Sequence, residues 1–298
     1  MSKKWLSAVV VCLLLAAVSI TNAQQQAPSG PPRVLQISHE EIKPDKGPAH
    51  EQQAKHYVQL LAKANSPYYR LALLPVTGEE NEVLYLWGFD SYAQAEKFGK
   101  DSEKWATETL KADFDQLQRE SEGLHASVRN LLASHREDLS FHPTHESVSQ
   151  ARYFQTVTFR VRPGHEADFA EAVKIVRAAY EKLNVEVHWL TYQVSSGAPS
   201  PTFLVFIPRK SFEELDEGLA RSKAFQEAEG QENVKRLERI AAEAYVNVES
   251  GLYRLAPKMS YVSKEFAASN PDFWTPKAEA VESASTAKKQ LKRPAPKP

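Results

Sequence analysis

Two unbroken apolar runs stand out along the chain, and they resemble each other. Val83-Leu84-Tyr85-Leu86-Trp87-Gly88-Phe89 leads into Asp90-Ser91-Tyr92, and Phe203-Leu204-Val205-Phe206-Ile207 leads into Pro208-Arg209-Lys210-Ser211-Phe212. Runs of this length without polar alternation predict strands covered on both faces. The patterns around them also repeat. In the first half, a strand is predicted over 34–40, with Leu35 and Ile37 on one face. A turn at Pro44 and Gly47 follows, then a helix to about Asn65 striped by Ala54, Val58 and Leu61, with Tyr57 beside them. A strand over 68–74 and a hairpin-type loop over 75–81 lead into the first apolar run. Ser91 or Asp90 is placed to cap an interrupted helical region through Trp105, Leu110, Phe114 and Leu117. Residues 128–141 close the unit, with a last strand expected near their end.

The order then restarts. A strand over 153–161 meets the turn Arg162-Pro163-Gly164, and Phe169, Val173, Val176, Tyr180 and Leu183 stripe a helix. A strand over 187–194 precedes the second apolar run, and Ser211 with Glu214 reads as a capping box. Four landmarks align about 120 residues apart, a spacing suited to a duplicated domain. Ile42-Lys43-Pro44 matches Val161-Arg162-Pro163, Leu84 matches Leu204, Ser91-Tyr92 matches Ser211-Phe212, and Leu139-Ser140-Phe141 matches Met259-Ser260-Tyr261. Each half reads β-α-β-β-α-β. The fold class expected is therefore α+β: two tandem ferredoxin-like domains, over 34–146 and 150–262, forming one pseudo-dimeric α/β barrel. In such a barrel each apolar run shows one face to its own helices and the other to the opposite half.

The Pro/Gly turn after the first strand, the apolar third strand and the Ser-Tyr or Ser-Phe helix start resemble the dimeric α/β-barrel superfamily. That group includes the antibiotic-biosynthesis-monooxygenase-like and NIPSNAP-like domains, and the likeness spans about residues 34–262. It implies a barrel normally built by two chains and here by one. It also implies a choice of activities: cofactor-independent monooxygenation, haem-using oxidation, or none. Fold alone does not choose among them.

The ends change the picture of location. Lys3 and Lys4, the apolar stretch from Trp5 to Ile20 and Thr21-Asn22-Ala23 form the three-part pattern of a secretory signal peptide over 1–23. This predicts export to the periplasm or beyond after cleavage near Ala23, with no membrane-spanning segment left. Residues 24–33 read as a Pro/Gly linker, and 263–298 as an extended segment ending in a basic, Pro-rich tail. Cys12 is the single cysteine, so disulfides, thiolate metal sites and a cysteine nucleophile are excluded from the cleaved chain. A formal net charge of −1, with no basic face, speaks against nucleic acid as a partner.

Candidate chemistry is sparse. His188 and Trp189 are adjacent in a predicted strand and point to opposite faces, so one could reach a pocket; Tyr69 and Arg70 are their first-half counterparts. Any site is thus expected in only one half. Trp87 and Tyr57 could line a ligand cavity. His142 and His145, near His135 and Glu146, could supply metal ligands, but from a segment that reads as the linker between halves. His50 and His56, six apart on a helix, do not share a face. No cofactor is predicted; haem enters only through the family resemblance. The leading functional expectation is a binding protein for a small apolar or aromatic molecule. An oxidoreductase of the monooxygenase or haem-using type, and a structural protein with a filled barrel, are the alternatives.

Overall fold

The computed structural model describes residues 30–275. The stretch read as a signal peptide, most of that read as a linker and the basic tail lie outside the described residues. Eight strands form the framework: β1 (Val34–Ile42), β2 (Arg70–Pro75), β3 (Glu82–Phe89), β4 (His125–His135), β5 (Tyr153–Val161), β6 (Leu190–Ser196), β7 (Thr202–Arg209) and β8 (Tyr245–Leu255). The helices are α1 (Gly47–Lys63), α2 (Tyr92–Lys104), α3 (Lys111–Ser121), α4 (His145–Ser149), α5 (Glu166–Leu183), α6 (Glu213–Glu229), α7 (Gln231–Ala244), α8 (Lys264–Ala268) and α9 (Pro271–Trp274). A π-helical turn, Trp105–Thr109, joins α2 to α3.

The strands close into one barrel in the order β1-β3-β2-β8-β5-β7-β6-β4. Every neighbouring pair is antiparallel. Each apolar run takes the expected interior place: β3 lies between β1 and β2, and β7 between β5 and β6. Two short seams join the halves. At one, Leu73 faces Leu255 across β2 and β8; at the other, Ala133 faces Val194 across β4 and β6. The inward faces meet in one core. Leu35, Leu84 and Leu131 from the first half pack with Phe154, Leu204 and Phe206 from the second. Side chains from both halves thus pack together in the lumen.

The repeated Leu/Met-Ser-Phe/Tyr landmark has a structural cause. Ser140 Oγ accepts from the Thr191 backbone N–H at 2.9 Å and donates to Arg136 O. Ser260 Oγ accepts from Ala72 N–H at 2.9 Å and donates to Ala256 O. Each serine satisfies a backbone donor beside a seam, where the short strand has run out of partners.

Several expectations need correction. The strand placed near the end of 128–141 occupies the start, His125–His135, and Glu137–Leu139 form a 3-10 turn. Residues 142–146 are not a loose linker: Thr144 and Ser147 make a capping box that starts α4. Ser211 caps nothing; Phe212 holds the N-cap position of α6, and Glu214 accepts from Lys210 N–H. Ser91 does cap α2, accepting from Gln94 N–H. The segment after 263 is helical through α8 and α9, because Trp274 is buried in the lumen core and donates to Ser149 O at 2.8 Å. No helix among the described residues is long and apolar enough to cross a membrane.

Candidate metal centre

Outside the barrel, α1 and α3 pack near each other over the sheet of the first half. The inward side of α1 is not uniformly apolar. His50, its fourth residue, shares a stripe with Ala54 and Leu61 and is 2% exposed. Beneath it, β1 presents Glu40. The bulge between Glu41 and Ile42 sets His125, the first residue of β4, opposite Ile42. Glu40 Oε2 accepts from His50 Nε2 at 3.0 Å and from His125 Nε2 at 3.1 Å. The three ligand-type atoms lie within 4.8 Å of one another. The Glu40 and His125 side chains keep 20% and 22% of their surface, so the cluster is reachable from solvent on one side.

Two further groups complete it. The Tyr85 hydroxyl, from β3, lies 3.4 Å from His50 Nε2. Burial pushes this phenol far above its usual range, so it stays protonated. Arg70, from β2, is buried with no carboxylate bonded to it. Its guanidinium lies over the rings of Tyr85 at 4.2 Å, Tyr57 at 4.6 Å and Trp87 at 5.5 Å, and donates to Ala54 O. Its Nε finds no partner. Burial opposes the charge on Glu40, but the His50 hydrogen bond and the electrostatic pull of the neighbouring His50, His125 and Arg70 outweigh it. The carboxyl is held below its usual range.

The second half shows what this location holds when nothing polar is needed. Phe169 is the fourth residue of α5, as His50 is of α1. Tyr245 faces Val161 past the same bulge that sets His125 against Ile42. Phe159 pairs with Phe203 as Glu40 pairs with Val83. Phe159, Phe169 and Tyr245 form an aromatic cluster with centroids 5.2 Å and 5.3 Å from Phe159. Trp189 holds the place of Arg70, as the bridges Phe141–Trp189 and Arg70–Tyr261 show. The fold is thus satisfied here by uncharged aromatic side chains. In the first half the same positions carry a carboxylate, two imidazoles and a guanidinium.

Of the residues singled out from sequence, Tyr57 and Trp87 meet at this cluster, around Arg70. Trp189 is core in the other half, stacked on Phe141 and donating to Leu139 O at 2.8 Å. His188 is outside it, donating from Nδ1 to His142 O. His142 and His145 are not brought together: one stacks on Phe141, the other meets Phe266 edge-on. His135 pairs with Ser140, and His56 with Glu120 in an open groove between α1 and α3. The spacing of His50 from His56 says nothing of its partners, which come from β1 and β4. The missed signal was a position-by-position comparison of the halves, which sets Glu40, His50 and His125 against three aromatics.

No family model and no curated protein matches this sequence. Among solved structures, the chain is similar in outline to a provisionally named monooxygenase from Lactobacillus acidophilus NCFM. That match has 7% identity and a TM-score of 0.47 over 77% of this chain and 95% of that one. An anthrone oxidase-like protein matches at 13% identity and a TM-score of 0.45, covering 76% and 93% of the two chains. Chlorite dismutase from Candidatus Nitrospira defluvii, in complex with imidazole, matches at 9% and 0.45, covering 78% and 93%. Likeness at this level transfers neither a site residue nor an activity.

Proposed function

We propose that the protein binds a divalent metal ion through Glu40, His50 and His125 and works as a metal-dependent oxidoreductase. The observation that carries the metal reading is the replacement of a stable aromatic cluster by this donor set at register-equivalent positions. Polar groups in a layer that can be apolar cost stability, so they point to a ligand. The spacing fits. Donor atoms ~2.1 Å from one ion and at right angles to each other lie ~3 Å apart. Two histidines and one carboxylate on one side of an ion leave its remaining positions open, the arrangement that non-haem iron oxygenases use. That donor set is the support for the oxidoreductase reading.

Haem fits less well, because Tyr57, Arg70, Tyr85 and Trp87 pack on one another in the layer between α1 and the sheet. Within this reading the chain is a fusion of two ferredoxin-like units, exported through its N-terminal signal, in which the second unit is scaffold and the first is active. The test is metal content and titration calorimetry with Fe(II), Co(II) and Zn(II). One ion per chain is expected, and its release by the triple change Glu40→Phe, His50→Phe, His125→Tyr. Because that variant copies the second half at these three positions, it should stay folded, at a somewhat lower Tm because Arg70 is then buried without the Glu40 carboxylate. An equal affinity in the triple variant, or no binding in the native chain, refutes the metal site. Binding of Zn(II) alone, with no reaction of an Fe(II)-loaded sample with dioxygen, refutes the oxidoreductase part.

A further inference from the structure

Strands β4 and β8 are longer than the seams that use them. β4 faces β1 throughout, but on its other side β6 reaches only residues 132–135. β8 faces β5 throughout, but β2 reaches only residues 253–255. Ala126 to Asn130 and Val246 to Ser250 are therefore exposed strand edges, and all ten residues are open to solvent. At the inner ends of these stretches the edges are covered. Gly197, with a φ of +93°, brings the β6–β7 loop against Asn130 O, and Thr77 bonds to Leu252. Val128, Val246 and Val248 are 50%, 46% and 46% exposed on these stretches. Exposed edges with valines are what natural sheets avoid unless something pairs with them.

We propose that the pairing strand comes from a second copy of this chain, joined mouth to mouth. Because all neighbouring strands are antiparallel, β4 and β8 run the same way, both entering the barrel from this end. A second barrel inverted on the same axis presents its own β4 and β8 in the opposite direction. Antiparallel edge pairing then keeps the inward faces of both barrels on one side. Two pairings are possible, like with like or β4 with β8, and charge chooses between them. Arg129 of β4 and Glu249 of β8 hold corresponding places on the inward faces, where Arg129 lies opposite His39 and Glu249 opposite Thr158. Pairing β4 with β8 about Val128 opposite Val248 overlaps the two exposed stretches and sets Arg129 diagonal to Glu249, twice per dimer. Pairing like with like sets Arg129 near Arg129 and Glu249 near Glu249. Diagonal neighbours are within reach of long side chains, and like charges there repel.

The C-terminal stretch outside the described residues is a poor alternative occupant. Residues 276–298 carry five lysines, an arginine and four prolines, with no alternating apolar pattern. Glu41, which accepts from Ser127 at 2.9 Å, and Glu82 also face this mouth, so Arg129 has acidic neighbours in its own barrel as well.

The experiment is sedimentation equilibrium of the purified protein over a concentration series, at low and moderate salt. A reversible dimer is expected. Arg129→Glu and Glu249→Arg should each weaken it about tenfold or more, and the double reversal should restore it. Circular dichroism confirms that the variants fold. A monomer at every concentration overturns the proposal. So does a dimer indifferent to both single changes, or one that the double reversal fails to rescue. Deleting residues 276–298 should leave the dimer unchanged; a dimer that appears or vanishes on deletion assigns the edge to the tail instead.

Discussion

Single side chains decide three things in this molecule: where polar groups replace hydrocarbon, how the seams are finished, and how the barrel mouth responds to acid. Ser260 finishes a seam by accepting from Ala72 N–H and donating to Ala256 O. Ser260→Ala leaves that buried donor unpaired, and a loss of about 1–3 kcal/mol is expected in urea unfolding. A loss no larger than that of an exposed serine would mean that water replaces the hydroxyl. At the mouth, Glu82 accepts from His39 Nδ1 at 2.8 Å and from the Tyr253 hydroxyl at 2.7 Å. The His39 hydrogen bond holds this carboxyl below its usual range, with burial pushing the other way and Tyr253 helping. A carboxyl depressed in the folded state stabilises fully above its unfolded pKa, and that stability goes as pH falls through the folded value. Glu82→Gln should therefore be less stable than the native chain at neutral pH, with the gap closing below the ordinary carboxylate range. A gap constant from pH 7 to pH 3 would contradict the assignment.

Strands and helices show how far the pattern of residues could be read. The apolar runs gave β3 and β7, their interior places and the doubled order of elements, because a strand buried on both faces leaves no other signature. Leu204 lies in the lumen core and is 7% exposed. Leu204→Ala should cost ~2–5 kcal/mol, and His188→Ala, at a surface hydrogen bond, markedly less; thermal unfolding of the two variants decides. Element ends were legible only where local chemistry fixed them. Ser91 caps α2 as read, but Ser211 does not cap α6, whose N-cap position is taken by Phe212. β4 was misplaced because Ala126 to Asn130 lie beyond the seam and carry no burial pattern. The proposed metal centre was illegible for a different reason. His50 and His125 lie 10 and 85 residues from Glu40 along the chain, and no local spacing joins the three. Only their alignment with Phe159, Phe169 and Tyr245 marks them.

At the scale of the whole molecule, the two halves are held by two short seams and a shared lumen, and the lumen carries most of the attraction. Neither half can bury Leu84 and Leu86, or Leu204 and Phe206, against its own helices, since those side chains face inward. The proposed reading of the chain as a fusion of two equivalent units predicts that covalent continuity between them is dispensable once the barrel is closed. A protease site inserted between Pro143 and Thr144 tests this, because that point lies before α4 and outside both seams. The cleaved protein should elute as a single species of unchanged size and separate only in denaturant. The first half expressed alone exposes its inward face and should self-associate, and refolding it with the second half should yield a one-to-one complex. The metal ion should follow the first half into either assembly, because all three donors lie between residues 40 and 125. Cleaved halves that part under native conditions and remain folded as monomers would show that each buries its own core. The seams would then be incidental, and the reading of the chain as one barrel built from two interdependent units would be wrong.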